Sequence, residues 1–230
     1  MTISILLASP QMGENIGATA RAMKNFGITD LRIINPRDGW PNEKAESMAA
    51  GAIDIINNAS IHNDMNSCVN NINKIYALTA RSRDMNKPHF YLHELEKNID
   101  LSINNAFMFG RENSGLSNEE IALADGIISI DTDPEYTSLN IAQSVILTCH
   151  QIFQISNNNN SNNNKQDLCD KSQLVFFYDI LENILDEKGF FYLEEKKPQM
   201  LLNLKNIFAR NNLSKTELQT LIGIIKLLGK

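Results

Sequence analysis

Nowhere in its 230 residues does the chain hold an apolar run near the roughly eighteen that a bilayer span needs, so no transmembrane helix is expected. The start, Met1-Thr2-Ile3-Ser4-Ile5, lacks the basic segment and cleavage site of a secretory leader. Cysteine is scarce. Cys68, Cys149 and Cys169 are odd in number and far apart, which excludes a disulfide framework and suits reduced thiols. These absences predict a cytoplasmic protein with no membrane partner. His62, His89, His93 and His150 stand at no metal-ligand spacing from the cysteines. His89 and His93 are four apart, but Pro88 precedes them and no HExxH context surrounds them, so no metal is expected. A GxGxxG turn is missing as well, which disfavours a dinucleotide-binding oxidoreductase.

Basic charge is also in short supply, with 21 Lys+Arg against 27 Asp+Glu and a net charge of −6. Residues 1–155 carry 11 basic against 18 acidic side chains (−7), and residues 156–230 carry 10 against 9 (+1). A nucleic-acid binder normally presents a basic face. Net charge, however, averages over the surface, and a catalytic cleft needs only a few local arginines. Arg21, Arg81, Arg83 and Arg111 all fall in or beside polar loops.

What is present is a hydrophobic content of 43%, enough for one large domain or two smaller ones. The Ser/Asn tract from Ser156 to Asn164 has nothing to bury and reads as a flexible linker. Before it, apolar runs at 3–8, 31–34, 75–78, 106–109 and 126–130 alternate with helical patterns near 15–26, 43–51, 64–71, 117–123 and 138–155. Ser117 and Glu120 form a capping box. This alternation predicts an α/β domain over residues 1–155 with a mostly parallel sheet, whose ligands sit outside the carboxyl ends of the strands. After a linker over 156–169, residues 170–230 show three stretches of helical spacing: a small helical appendage, short of apolar surface for standing alone.

Four segments carry candidate chemistry. Gly13 to Gly27 follows the first strand, with Asn15 and Arg21 on the opening helix and Gly17 and Ala20 small enough to press that helix on the sheet. The loop Phe109-Gly110-Arg111-Glu112-Asn113-Ser114-Gly115-Leu116-Ser117 exposes backbone groups at its glycines, and Glu112 there repels a phosphate. The acidic segment from Asp131 to Asn140 is stiffened at Pro134, and Ser138 and Asn140 are placed to cap a helix. Leu78-Thr79-Ala80-Arg81-Ser82-Arg83 ends a strand in small and basic residues. Taken singly, each has a plain alternative: Arg21 solvated, Glu112 paired with Arg111 or Arg21, Ser138 and Asn140 capping and nothing more.

Taken in order, the set resembles the SpoU (TrmH-type) branch of the SPOUT RNA methyltransferases. Its three motifs look like N-x-G-x-x-x-R-A, F-G-x-E-x-x-G-L-S and a Pro-containing loop ending S-L-N. They appear here at 15–22, 109–117 and 134–140. Ala20-Arg21-Ala22-Met23-Lys24, Thr79-Ala80-Arg81-Ser82-Arg83, Asn118-Glu119-Glu120 and Pro134-Glu135-Tyr136 are similar to the TrmJ-type tRNA (cytidine/uridine-2'-O-)-methyltransferases. Asp133 departs from the asparagine expected at its place.

The resemblance implies a deep trefoil knot in the C-terminal part of the sheet and S-adenosylmethionine as methyl donor. It implies a donor site at Leu78, Thr79, Ala80, Gly110, Ile130, Thr137, Ser138 and Leu139. It also implies a homodimer in which Arg21 of one subunit faces the donor held by the other. Asn15, Arg21, Glu112, Ser138 and Asn140 are the implied catalytic set. The implied reaction is methylation of an RNA ribose 2'-hydroxyl, with tRNA anticodon-loop position 32 first, and ribosomal RNA or another tRNA loop as the alternative. A non-catalytic RNA-binding dimer of the same fold is a remoter alternative.

Overall fold

A computed structural model of the chain describes residues 2–80, 86–158, 168–209 and 213–229. Among the described residues, seven strands form one sheet: β1 (Ile3–Ala8), β2 (Asp30–Ile34), β3 (Ser60–His62), β4 (Lys74–Leu78), β5 (His89–Tyr91), β6 (Asn105–Phe109) and β7 (Gly126–Ser129). Their order is β3-β2-β1-β6-β4-β7-β5, and every pairing is parallel. The central strands β4 and β6 are buried along their whole length, as strands covered on both faces must be. The three-residue edge strands β3 and β5 escape sequence reading. Ser-Ile-His and His-Phe-Tyr are too short and too polar to show a period, and only their place at the rims of the sheet makes them strands.

The helices are α1 (Gly13–Asn25), α2 (Glu43–Ala49), α3 (Ile53–Asn57), α4 (Met65–Cys68), α5 (Leu95–Asn98), α6 (Asn118–Ala122), α7 (Ile141–Asn158), α8 (Lys171–Glu187), α9 (Lys197–Ala209) and α10 (Lys215–Leu228). Side chains of α1, α2, α3, α5 and α7 share one core with one face of the sheet, through Ile16, Ala20, Met23, Ile55, Leu95 and Val145. The other face packs on α4 and α6 through Cys68 and Ile121. Ala20 is fully buried against the sheet side, whereas Gly17 meets a different partner. A Cβ at Gly17 would strike Ala45 O, and would come within 2.8 Å of Ala49 N and of Met48 Cβ, all on α2. That glycine lets two helices touch; it does not press α1 on the sheet as its spacing suggested.

The C-terminal helices are docked, not merely appended. The expected linker is ordered at both margins: α7 runs on to Asn158, and Leu168 and Cys169 are buried. Arg81 and Arg83, and residues 159–167, lie outside the described residues. Cys169 N donates to Leu213 O at 2.9 Å, and Lys171 N donates to Ile72 O at 2.6 Å, ahead of β4. A small core of Leu174, Phe177, Leu218 and Ile222 includes Leu123 from the sheet domain, and Val175 packs against both this core and that of α4 and α6.

Beneath that contact lies a buried charge cluster. Asp125, 7% exposed, accepts Lys74 Nζ at 3.1 Å, Lys171 Nζ at 2.7 Å and Ile75 N at 2.7 Å. Shared apolar surface supplies what the appendage was judged to lack. No described helix is long and apolar enough to cross a membrane. All three cysteines are free and buried, and burial pushes the thiols of Cys68 and Cys149 up to about 12, far from thiolate reactivity.

Candidate active site

The carboxyl ends of β4, β6 and β7 open into a cleft of about 280 Å³. That is near the lower end of small-ligand clefts, which run from roughly 300 to 1,000 Å³. Leu78, Thr79 and Ala80 line it from the end of β4, Gly110 from β6 and Ile130 from β7. Thr137, Ser138 and Leu139, from the loop before α7, close it. The eight residues assigned to a donor site therefore line a single cleft, along with Glu112. Its floor is fixed by the sheet: Thr79 N donates to Ile128 O at 3.1 Å, and Ser129 Oγ donates to Thr79 O at 3.0 Å.

The loop after β6 is a miniature hairpin. Gly115 N donates to Arg111 O at 2.8 Å, Arg111 N donates to Gly115 O at 3.2 Å, and Gly115 takes φ +70°. A Cβ on Gly110 would collide with the Gly115 carbonyl carbon and Leu116 N, and would lie 2.6 Å from Gly115 O. Backbone cannot yield there as a side-chain tip can. Gly110→Ala is expected to cost about 3 kcal/mol in urea unfolding, the upper end for overpacking. A variant as stable as the wild type would show that this hairpin opens freely.

Three distant segments meet in one hydrogen-bond relay. Asn15 Nδ2 donates to Glu112 Oε1 at 2.9 Å, Asn140 Nδ2 donates to Asn15 Oδ1 at 3.0 Å, and Asn140 Oδ1 accepts Ala142 N at 2.9 Å. The polarity is dictated from both ends. A carboxylate only accepts, so Asn15 presents its amide nitrogen to Glu112 and its oxygen to Asn140; a backbone N–H only donates, so Asn140 presents its oxygen to Ala142. The second oxygen of Glu112 accepts Gln11 N at 2.9 Å, just ahead of α1. Glu112 thus binds its loop to α1 and pairs with neither Arg111 nor Arg21, contrary to the plain expectation.

Arg111 does a separate job. Its guanidinium reaches Glu120 Oε1 at 3.0 Å and Oε2 at 3.1 Å, and Ser9 Oγ at 3.2 Å. Glu120 also closes the capping box by accepting Ser117 N at 2.7 Å. A bidentate pair of this kind locks the hairpin to α6 and to the end of β1.

Asn140 caps α7, while Ser138 lies two residues ahead of the cap position and lines the cleft instead. Asp133 substitutes for the expected asparagine without changing the turn: its Oδ1 accepts Glu135 N at 2.8 Å, a bond an asparagine oxygen makes equally well. Sequence reasoning missed His93, whose Nδ1 lies 2.6 Å from Asp131 Oδ2 and ties this loop to the segment after β5. No spacing rule connects two exposed residues thirty-eight apart.

Arg21 is the outlier. It lies exposed on α1, does not line the cleft and has no ion pair among the described residues. A single chain therefore gathers Asn15, Glu112, Ser138 and Asn140 but leaves Arg21 apart. No cluster of three or more potential metal ligands occurs among the described residues.

The model of the SpoU rRNA Methylase family matches residues 2–150. TrmJ of Photorhabdus laumondii subsp. laumondii, named a tRNA (cytidine/uridine-2'-O-)-methyltransferase, is 32% identical over 233 residues, 97% of this chain and 95% of that one. An uncharacterized tRNA/rRNA methyltransferase of Haemophilus influenzae is 30% identical over 234 residues, 99% and 95% of the two chains. A crystal structure of TrmJ from Z. mobilis ZM4 covers 100% of both chains with a TM-score of 0.90 and 32% identity. The family match spans the sheet, the cleft and the relay, and the relatives span the docked helices too: the protein belongs to the SpoU rRNA Methylase family and is TrmJ-like within it.

Proposed function

We propose that the protein transfers a methyl group from S-adenosylmethionine to a ribose 2'-hydroxyl of tRNA, at anticodon-loop position 32. The observation that carries this is the single cleft walled by the ends of β4 and β7 and by the second and third motif segments, to which Asn15 of the first is tied through the Glu112–Asn15–Asn140 relay. The residues suit the donor. Leu78, Ile128, Ile130 and Leu139 give an apolar bed for an adenosyl group, and Gly110 and Thr79 offer backbone at its edge. Glu112 favours a cationic sulfonium where it would repel a phosphate. When bound, S-adenosylmethionine supplies an electrophilic methyl, so no metal is needed to activate it.

The chain's own task is the nucleophile, since a sugar hydroxyl is almost fully protonated at neutral pH. A guanidinium with a pKa above about 12 is a poor base. Arg21 acts instead as a preorganised positive charge that grips the adjoining phosphate and stabilises the developing alkoxide. Asn15, Ser138 and Asn140 hold the ribose and donor in line, and orientation alone contributes a comparable share of the rate. Arg21 reaches the cleft from a second copy. In support, α7 exposes Ile146, Leu147 and Phe153, each about 40% accessible, beside the helix that carries Arg21. Exposed apolar side chains on one helix fit a homodimer face. The same reading takes the chain around the cleft as a trefoil knot, residues 1–155 as the methyltransferase domain and 170–230 as a helical domain.

Mass spectrometry of nuclease-digested tRNA, after incubation with isotopically labelled donor, tests the proposal. Label in a 2'-O-methylated nucleoside at position 32 is the expected result. Unlabelled tRNA beside labelled ribosomal RNA would overturn the substrate assignment.

A further inference from the structure

A second cleft, larger than the first at about 670 Å³, opens at the carboxyl ends of β1, β2 and β3 and is roofed by α9. Parallel sheets bind ligands at that end of their strands. Both β1 and β2 leave the sheet there through left-handed residues, Ser9 at φ +49° and Asn35 at φ +45°. Non-glycine residues hold that conformation at a cost, and such positions gather at functional sites. Arg111 lines both clefts, so one side chain separates them.

We propose that this second cleft seats a nucleobase of the RNA substrate next to the nucleotide that is methylated. The inference rests on the methyltransferase reading above and adds where the flanking RNA goes. The lining decides for a base over a bare phosphate. Its charges are largely spent within the protein: Arg111 pairs with Glu120, Lys197 with Asp186 at 3.1 Å, and the Asp64 carboxylate accepts Ser67 N at 2.8 Å. What remains, apart from the Glu119 carboxylate and the Lys205 ammonium, is neutral. The side-chain amides of Asn35, Asn63 and Asn66 make no hydrogen bond to another described residue, and each offers a donor and an acceptor, the pattern that reads a base edge. Met65 and Leu201 supply apolar walls for the base faces. Lys205 also lines the cleft, and among the described residues its ammonium has no partner, leaving it for the phosphate the base carries. A cleft of 280 Å³ that already takes the donor has no room for a second nucleotide; this one has.

The test uses the full chain and unmodified tRNA. Asn66→Ala removes an exposed amide, Lys205→Ala removes the cation, and Leu201→Trp fills the space. Each is expected to raise KM for tRNA about tenfold, in keeping with the loss of one base or phosphate contact, with kcat and the affinity for S-adenosylhomocysteine changed less than twofold. Lys205→Ala should also reduce the salt slope of tRNA affinity by about one. Unchanged KM in Asn66→Ala and Lys205→Ala, beside an active wild type, overturns the proposal. So does a loss of S-adenosylhomocysteine affinity that matches the rise in KM, since the second cleft would then act only as a wall of the first. A wild type that methylates no RNA defeats the methyltransferase reading itself, and is told apart by that control.

Discussion

Arg21→Ala is expected to reduce methyl transfer to tRNA by a hundredfold to a thousandfold, the effect of removing one charge-stabilising donor, while S-adenosylmethionine binds within a few-fold of wild type. Within its own chain Arg21 touches neither the cleft nor the relay, so its loss leaves the donor's seat intact. Arg21→Lys separates two roles. A lysine keeps the positive charge but loses the planar fork, so a phosphate grip survives in part, about tenfold down. Weak donor binding in Arg21→Ala would place the arginine in the donor site and sink the assignment.

The trans arrangement has its own test. Leu139→Arg puts a cation into the cleft and should abolish binding of the sulfonium donor. Each variant alone is then inactive. In a two-fold dimer, equal mixing after subunit exchange gives half heterodimers, each with one intact site, so about a quarter of wild-type activity should return. No recovery at all would mean that Arg21 serves its own chain.

How these parts could be read beforehand differs by physical cause. Buried central strands are legible because β4 and β6 must be apolar throughout, and Lys74-Ile75-Tyr76-Ala77-Leu78 and Asn105-Ala106-Phe107-Met108-Phe109 nearly are. The capping box at Ser117 and Glu120 is local chemistry and forms as the spacing requires. The relay is different. Asn15, Glu112 and Asn140 are ninety-seven and one hundred and twenty-five residues apart in sequence, and their meeting is set by strand order, which no local period encodes. Glu112 and Arg111 show the limit most clearly. Adjacent opposite charges suggest a pair, yet their side chains diverge, one to α1 and the other to α6.

The buried cluster at the base of β4 was invisible for the same reason, and it carries the largest expected change in stability. Asp125 faces two lysines, Lys74 and Lys171, each under 10% exposed, so one carboxylate serves two buried ammoniums away from water. Burial lowers the pKa of Lys171 against the opposing pull of Asp125. Asp125→Asn keeps the shape and removes the carboxylate that both lysines share. Two buried ammoniums then face each other, and the cost is bounded by the alternative of losing a proton: about 5 kcal/mol per lysine at pH 7 from an ordinary pKa of 10.5. A loss of about 3–5 kcal/mol is expected in urea unfolding, as for other buried pairs broken on one side.

Lys171→Met is expected to behave otherwise. It leaves Lys74 paired with Asp125, with Asp125 still accepting Ile75 N, and should stay within about 1 kcal/mol of wild type at pH 7. The two variants also respond to pH in a fixed direction. The unfolded chain holds the Lys171 proton more tightly than the folded one, so wild-type stability at this site rises with pH between the lowered folded value and 10.5. Lys171→Met lacks that slope, and its standing against wild type should fall as pH climbs through the same window. If Lys171→Met costs as much as Asp125→Asn at every pH, packing and not charge balance holds the helical segment to the sheet.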